Sequence, residues 1–238
     1  MVLAWHKGII LKIQQESPTV KRFWIQLPEL EQFHFIPGQF VTLDLPISER
    51  RNKRWRSYSI ANAPNQSNIF ELVIVKLEQG AGTTYLFEQA SIGTEFLVRA
   101  AQGVFVLPEQ LDKTLFLVCT GTGIAPYRSM LQYIQQEQLP HLDIHLIYGC
   151  RTEEDLLFKD EMEALALQND QFFYHPITSR SAYKSKQGYV HSIYEALCSD
   201  LPVAHFMLCG WRPMVDEAKE RIIKLGYNKT DVEFELYG

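Results

Sequence analysis

The chain has 238 residues, 46% of them hydrophobic and 21% charged, enough to bury a core in one large domain or two smaller ones. Its net charge of −5 argues against general nucleic-acid binding, which needs a basic surface. We expect no membrane insertion, because no stretch is long and apolar enough to span a bilayer and no signal peptide opens the chain. Four scattered cysteines without a C-x-x-C pair disfavour a metal site and indicate reduced thiols in a cytoplasmic protein.

The first half of the sequence is predicted to form β-strands. Short runs rich in β-branched and aromatic residues are separated by Pro, Gly and Asn. These runs lie at 7–15, 20–27, 40–45, 54–60, 70–76 and 95–100. A helical segment at 83–89 interrupts the series. Six strands at this spacing indicate a small antiparallel barrel.

The second half alternates strands with helices from about residue 111 onward. Apolar runs lie at 115–119, 144–148, 172–174, 205–209 and 232–236, and helical patterns at 126–138, 153–167, 192–197 and 214–225. This alternation indicates crossover units and a parallel sheet. Thr152 lies three residues before Asp155 and is the predicted N-cap of the second helix. We therefore predict two domains, 1–110 and 111–238.

One strand of the first half combines a cation, an aromatic ring and two hydroxyls in the segment Arg56-Ser57-Tyr58-Ser59. A flat, phosphorylated cofactor such as a flavin needs a ring to stack on, a hydrogen-bond donor at its edge and a cation for its phosphate. Strand alternation places Arg56 and Tyr58 on one face and the two serines on the other. Taken alone, the segment fits an ordinary edge strand with a solvated Arg equally well.

A glycine turn follows the apolar run 115–119. Gly121 and Gly123 permit a tight turn and the close approach of a phosphate to backbone amides. Pro126 suits the first turn of the helix that follows, where a missing backbone N–H costs nothing. The arrangement is typical of a dinucleotide site, although a plain turn between strand and helix would look the same.

These segments together resemble the ferredoxin–NADP reductase superfamily. The segment Arg56-Ser57-Tyr58-Ser59 matches its R-x-Y-[ST] motif, and Gly80-Ala81-Gly82-Thr83 resembles its G-x-x-[ST] motif. The resemblance implies an FAD whose phosphate Arg56 binds, whose ring Tyr58 covers and whose N5 edge Ser59 contacts. It also implies that Thr83 caps the diphosphate at a helix N-terminus. The flavin site predicted in this way comprises Arg56, Ser57, Tyr58, Ser59, Gly80, Gly82, Thr83, Thr84 and Tyr237.

The likeness extends over the second half. The turn resembles the pyridine-nucleotide motif G-T-G-x-A-P, the segment ending at Arg151 is similar to Y-G-x-R, and Cys209-Gly210 matches the start of C-G-P-P. Here Trp211-Arg212-Pro213 replaces the prolines, which leaves the shape of that loop open. The NADP site implied by the resemblance comprises Thr120, Gly121, Thr122, Gly123, Pro126, Arg151, Ser179, Arg180, Tyr189, Cys209 and Gly210.

The C-terminal segment Phe234-Glu235-Leu236-Tyr237-Gly238 resembles the V-E-V-Y terminus of plant-type members. In that likeness Tyr237 covers the outer face of the flavin and Glu235 lies near the reaction centre; a terminal strand with an exposed Tyr is the alternative. With Ser59 and Cys209, these two residues form the implied catalytic set. For Cys209 we favour packing beside the nicotinamide over acid–base chemistry.

The Ser179-Arg180 pair resembles the NADP-selecting pair of the family, since a 2′-phosphate needs cations and donors. Lys184 and Lys186 follow in the same loop, and Tyr189 is suited to stack on adenine. The resemblance therefore implies that NADPH is preferred over NADH.

The implied activity is an FAD-dependent reductase that takes hydride from NAD(P)H and passes electrons to ferredoxin or flavodoxin. The basic run Arg50, Arg51, Lys53, Arg54 and Arg56 is either a docking patch for such an acidic carrier or a solvated loop with one flavin ligand. No plant-type iron–sulfur motif occurs in the chain. The alternatives are an NAD(P)H-flavin reductase and a reductase subunit of an oxygenase or another multicomponent complex.

Overall fold

A computed structural model describes residues 4–184 and 186–237, so that Gly238, part of the C-terminal likeness, lies outside the described residues. The chain divides into two compact units. The first, called here the barrel unit, comprises Met1–Leu107 and Ala125–Gln138. The second, called the sheet unit, comprises Pro108–Ile124 and Leu139–Gly238.

The barrel unit contains the six predicted antiparallel strands. They are β1 (Trp5–Ser17), β2 (Val20–Gln26), β3 (Phe40–Asp44), β4 (Trp55–Ser59), β5 (Ile69–Val75) and β6 (Glu95–Gln102). Their order in the sheet is β4-β3-β6-β1-β2-β5. An antiparallel bridge from Ile60 to Leu72 joins the two ends, and the sheet closes into a barrel. The predicted fold of the first half is thereby confirmed.

Alternation along the strands fills the barrel. Val41, Leu43 and Leu45 are fully buried because every second residue of β3 and its extension points inward. The helical segment of this unit is a single α-helical turn, α1 (Ala81–Thr84), which continues as a π-helical stretch at Tyr85–Gln89. Leu86 of that stretch is buried in the same core. This packing fixes the Gly80–Thr83 segment on the barrel.

Helix α2 (Ile124–Gln136) follows the glycine turn, yet from Ala125 onward it belongs to the barrel unit. The buried Arg128 forms an ion pair with Glu71 (Nη1 to Oε2, 3.0 Å) and donates to the carbonyl of Ala61 (2.9 Å). One residue on, the Ser129 hydroxyl donates to the carbonyl of Asn62 (2.7 Å). These polar contacts attach the helix to the segment that directly follows β4.

Among its described residues, the sheet unit contains five parallel strands and three further α-helices. The strands are β7 (Thr114–Thr120), β8 (Ile144–Cys150), β9 (Phe172–Thr178), β10 (Ala204–Trp211) and β11 (Val232–Tyr237). The helices are α3 (Lys159–Gln168), α4 (His191–Leu197) and α5 (Arg212–Leu225). The order β11-β10-β7-β8-β9 reverses direction between β7 and β10. In open parallel sheets ligands bind at the carboxyl ends of the strands beside such a switch point.

One predicted helix boundary is wrong. Thr152 caps a short 3-10 turn, Glu153–Asp155, through a capping box with Asp155. The chain then leaves the helical conformation, and Phe158 has a left-handed φ of 55° before α3 begins at Lys159. The chain buries three side chains here, those of Leu156, Leu157 and Phe158. Because this packing overrides the local helical preference, the helix does not continue from Asp155 to Lys159.

No helix among residues 4–184 and 186–237 is long and apolar enough to cross a membrane. Within the same residues, no group of three or more His, Cys, Asp or Glu side chains is arranged to hold a metal ion.

Candidate functional site

The two predicted flavin segments meet in the barrel unit. A Cβ built on Gly82 would lie 2.8 Å from Cγ and 3.1 Å from Nε of Arg56, so the Arg56 side chain crosses the helical turn where only glycine leaves room. The Arg56 guanidinium donates to the carbonyl oxygens of Trp55 (2.7 Å) and Lys53 (3.1 Å). A cation is therefore held against the first turn of a helix, a combination that suits a phosphate group.

The Thr83 hydroxyl serves its own loop. It donates to the carbonyl of Gly80 (3.0 Å) and accepts from the backbone N–H of Leu77 (3.2 Å). Thr84, the last residue of α1, donates its backbone N–H to the same Gly80 carbonyl (2.8 Å). The hydroxyl thus shapes the Gly80 loop, and the main-chain amides at the start of the turn are the groups available to a phosphate.

Tyr58 and Ser59 differ in their surroundings from Ser57. Tyr58 packs half-buried against the barrel core, and burial raises the pKa of its phenol to about 12. Ser59 is buried at the end of β4. The exposed Ser57 forms a hydrogen bond with the Thr42 hydroxyl (3.0 Å) on the other face of the strand. The predicted alternation holds, and Arg56 and Tyr58 share the side on which Gly82 lies.

The basic run is divided by its contacts. Arg54 is paired through Nε with the buried Asp44 (2.7 Å), and Arg56 is engaged with carbonyl groups as described. Arg50, Arg51 and Lys53 remain exposed, the last two in a short 3-10 turn. Of the five cations in the run, these three present their charge to solvent.

In the sheet unit, two glycines let the ends of β7 and β10 approach each other. A Cβ on Gly123 would lie 2.5 Å from the carbonyl oxygen of Cys209. Gly210 has a φ of +136°, and a Cβ there would lie 2.6 Å from Oγ1 of Thr120. Gly121 has a φ of +55° with open space around it, and Thr122 is buried. The turn Gly121–Gly123 therefore lies at the switch point of the sheet, where its amides are available to a diphosphate.

Pro126 is the third residue of α2, and this position agrees with its prediction for the first turn.

Cys209 is fully buried, and burial raises the pKa of its thiol well above the usual range. It lies in register with Cys119 of β7 and Glu235 of β11. Glu235 and Tyr237 are both half-buried in the last strand, Tyr237 in register with Trp211. A thiol in this environment stays protonated at neutral pH, which agrees with packing rather than proton transfer.

The ends of β8 and β9 are joined by backbone hydrogen bonds. Ser179 donates its N–H to the carbonyl of Cys150 (3.0 Å), and Arg180 donates its N–H to the carbonyl of Arg151 (2.9 Å). Both arginine side chains are exposed, and no ion pair joins Arg180 to another residue of the described ranges. Tyr189, 71% exposed, follows in the same loop. Two cations and an aromatic ring are thereby gathered at one end of the sheet.

Sequence reasoning missed Glu163 of α3. Its carboxylate accepts hydrogen bonds from Nζ of Lys184 (2.8 Å) and from the hydroxyl of Tyr183 (2.8 Å). The positive charge of Lys184 is therefore paired with the carboxylate of Glu163, and Lys184 is a weaker candidate than Arg180 for binding a phosphate. The pairing joins residues 21 positions apart in the chain, and no local pattern indicates it.

Comparison with known families assigns both halves. Residues 7–107 match the family described as Oxidoreductase FAD-binding domain, and residues 117–220 match Oxidoreductase NAD-binding domain.

Similar proteins agree with this assignment. The chain is 32% identical to ferredoxin–NADP reductase B of Sorangium cellulosum over 96% of both chains. It is 33% identical to the electron transfer component of anthranilate 1,2-dioxygenase from Acinetobacter baylyi, over 80% of this chain and 54% of that protein. The structure of a ferredoxin NADP+ reductase from Neisseria gonorrhoeae with bound FAD and NADP is 27% identical, with a TM-score of 0.82 and 98% of both chains covered. The chain belongs to the ferredoxin–NADP reductase family, with an FAD-binding domain followed by an NAD-binding domain.

Proposed function

We propose that this protein oxidises NADPH and passes the electrons through FAD to an acidic one-electron carrier of the ferredoxin or flavodoxin type. Residues 1–110 would hold the flavin and 111–238 most of the dinucleotide site. The observation that carries the proposal is the close approach of Arg56 to Gly82, because it unites two separate flavin motifs in one cationic cradle.

FAD fits the residues present in the barrel unit. Arg56 and the amides near Gly82 and Thr83 suit its diphosphate, and the half-buried Tyr58 offers a flat ring to the flavin. Bound FAD would supply the chemistry of accepting a hydride and releasing electrons singly. Ser59, buried at the strand end, would donate a hydrogen bond to the flavin edge.

The sheet unit would bind and orient the dinucleotide. The amides of the turn Gly121–Gly123 suit the diphosphate, and Arg151, Ser179 and Arg180 suit the adenosine end. Cys209 would exclude water beside the nicotinamide as a neutral thiol, since its pKa is raised. We assign Glu235 and Tyr237 to the same end of the site, where their strand adjoins β10.

The test of this function is an absorbance spectrum of the purified protein before and after anaerobic addition of NADPH. We expect flavin bands that bleach within the mixing time and return with air. A protein that takes up neither FAD nor FMN, or a flavin that NADPH leaves oxidised, would contradict the proposal. NAD(P)H-flavin reductase activity would instead be indicated if reduced flavin is released into the filtrate on ultrafiltration.

The acidic carrier is proposed because three exposed cations, Arg50, Arg51 and Lys53, lie together in a protein of net charge −5. Such a patch accelerates the encounter with an acidic partner at low salt. Carrier reduction should slow as ionic strength rises from about 0.01 to 0.15 M, where the Debye length falls from roughly 30 to 8 Å. A rate independent of salt would exclude this patch as the docking surface.

A reductase component of an oxygenase is the second candidate. It is favoured by the likeness to the anthranilate and toluate 1,2-dioxygenase electron transfer components, of which this chain spans 54% and 68%. Autonomous turnover of NADPH with a free ferredoxin would favour the first candidate. Turnover that requires an oxygenase component would favour the second.

Replacing Arg180 with Ala should lower the NADPH/NADH ratio of kcat/KM by about 10- to 100-fold. A charge-assisted hydrogen bond to the 2′-phosphate is worth about 1.5–3 kcal/mol. NADH lacks the 2′-phosphate, so its kcat/KM does not depend on this bond. The measurement is initial-rate kinetics with each nucleotide and an artificial acceptor. Lys184→Ala is the matched control, since Glu163 already pairs with that side chain, and it should leave the ratio within about twofold. An unchanged ratio in Arg180→Ala would refute the assignment.

Replacing Gly82 with Ala should weaken FAD binding about tenfold without lowering the stability of the apoprotein. The new methyl group displaces Arg56 from its position across the turn, while alanine favours a helical backbone by up to about 1 kcal/mol. FAD affinity from fluorescence titration and the urea midpoint of the apoprotein are the two readouts. An FAD affinity equal to that of the unmodified protein would show that Arg56 does not bind the phosphate of FAD.

A further inference from the structure

We infer that Trp211 forms a stacking surface for the nicotinamide ring of NADP(H), and that it favours the oxidised, cationic ring over the reduced, neutral one. The inference rests on the proposed function, because it needs a dinucleotide in the sheet unit. It concerns the position at which this chain departs from the family's C-G-P-P motif.

The main chain at Trp211 is fixed while its side chain is exposed. The backbone N–H of Trp211 donates to the Thr120 hydroxyl (3.4 Å), and the preceding Gly210 closely approaches the same residue. The indole is 67% exposed, whereas Cys209, two residues earlier, is fully buried. The end of this hydrogen-bonded strand thus presents a flat apolar ring to solvent.

The rings of the other three tryptophans all have an aromatic or a cationic partner. Trp5 and Trp55 lie against each other with centroids 5.5 Å apart. Trp24 has Nζ of Lys12 at 4.2 Å and the Arg22 guanidinium at 4.5 Å from its ring centroid. Among residues 4–184 and 186–237, neither an aromatic ring nor a cation covers the face of Trp211. Leaving a large apolar ring uncovered is unfavourable, and such rings are typical of binding surfaces.

The sheet topology places this ring on the nicotinamide side. A dinucleotide at the switch point lies across the carboxyl ends of the strands, with its diphosphate at the turn after β7. Arg151, Ser179 and Arg180 follow β8 and β9, and they suit the phosphorylated adenosine end. The nicotinamide end then extends toward β10 and β11, where Trp211 is in register with Tyr237.

The preference for the oxidised nucleotide follows from the charge of its nicotinamide ring. The oxidised ring is a pyridinium cation, and the reduced ring is neutral. The π-face of an indole attracts a cation positioned over it, and tryptophan does so more strongly than other aromatic residues. Trp211 therefore binds NADP+ more tightly than NADPH and slows release of the oxidised nucleotide.

Equilibrium titration of the oxidised holoprotein with three probes tests this role. NADP+ carries the cationic ring, 1,4,5,6-tetrahydro-NADP is a neutral and unreactive analogue of NADPH, and 2′,5′-ADP lacks the nicotinamide end. In Trp211→Ala we expect the Kd of NADP+ to rise by about three- to fivefold. The Kd of the tetrahydro analogue, which loses only apolar contact with the indole, should rise by a smaller factor than that of NADP+, and the Kd of 2′,5′-ADP should change by less than about twofold. The Kd of NADP+ for Trp211→Phe should lie between those of the unmodified protein and Trp211→Ala, since phenylalanine is a weaker cation–π partner than tryptophan.

Trp55→Ala is the matched control, because it removes a tryptophan of the barrel unit and should leave all three affinities unchanged. Equal weakening of NADP+ and the tetrahydro analogue in Trp211→Ala would overturn the charge preference. Weakening of 2′,5′-ADP would show that the loop, not the indole, had changed, and would overturn the stacking role. If the unmodified protein binds none of the three probes, the proposed function fails first, and the role of Trp211 fails with it.

Discussion

Replacing Arg128 with Ala should destabilise the barrel unit by about 3 kcal/mol. Arg128 is 8% exposed and pairs with Glu71, which is 17% exposed, while also donating to the Ala61 carbonyl. Removing one partner of a buried ion pair costs about 3–5 kcal/mol, because the other charge stays desolvated. We expect the lower end of this range, since Glu71 keeps a second contact with Arg22 at 3.4 Å.

The measurement is urea unfolding at saturating FAD, with the midpoint and slope compared between variants. Arg221→Ala is the matched control: Arg221 also contacts two carboxylates, Glu195 and Glu217, but it lies on the surface. Solvent screens such pairs, so this variant should unfold almost as the unmodified protein does. Equal losses in the two variants would mean that burial of the Arg128–Glu71 pair is not what stabilises helix α2 on the barrel.

The Arg128 network also shows what sequence reasoning could not reach. Local patterns predicted both folds, because β-branched alternation and strand–helix alternation are properties of neighbouring residues. The pairing of Arg128 with Glu71 joins residues 57 positions apart, and the assignment of α2 to the barrel unit follows from such contacts. The sequence between Ile124 and Gln136 contains nothing that distinguishes this helix from one that belongs to the parallel-sheet unit.

The candidate site likewise has features that local sequence patterns indicate and features that they do not. The motifs singled out Arg56, the Gly80–Thr83 loop and the Gly121–Gly123 turn as candidates, since each is a short pattern with its own backbone requirement. They did not indicate that the Thr83 hydroxyl closes its own loop, that Arg54 is held by Asp44, or that Glu163 neutralises Lys184. These are side-chain pairings across the fold, and they depend on where distant elements meet.

Replacing Gly123 with Ala should both destabilise the sheet unit and weaken its binding of NADP+. A Cβ at this position would lie 2.5 Å from the carbonyl oxygen and 2.8 Å from the carbonyl carbon of Cys209, and 3.1 Å from Cα of Gly210. All three atoms belong to the backbone of β10, so no side-chain rotation relieves the overlap. The turn must move away from the strand by several tenths of an ångström or more, and overpacking of this kind costs about 1–3 kcal/mol.

The same displacement removes the amides of the turn from the diphosphate. We expect NADP+ affinity to fall at least about 100-fold, equivalent to about 2.7 kcal/mol, by isothermal titration of the holoprotein. Urea unfolding of the same samples should give the loss of stability.

Gly121 is the control that separates overlap from backbone strain. Its φ of +55° is unfavourable for alanine by about 1–2 kcal/mol, but a Cβ there meets no atom of the described residues within 4 Å, apart from its two chain neighbours. Gly121→Ala should therefore cost only this strain in stability and leave β7 and β10 in place. Gly123 has no positive φ, so its whole effect must come from contact with β10. If Gly123→Ala unfolds at the midpoint of the unmodified protein and still binds NADP+, then the close approach of Gly123 to Cys209 is not required for the dinucleotide turn.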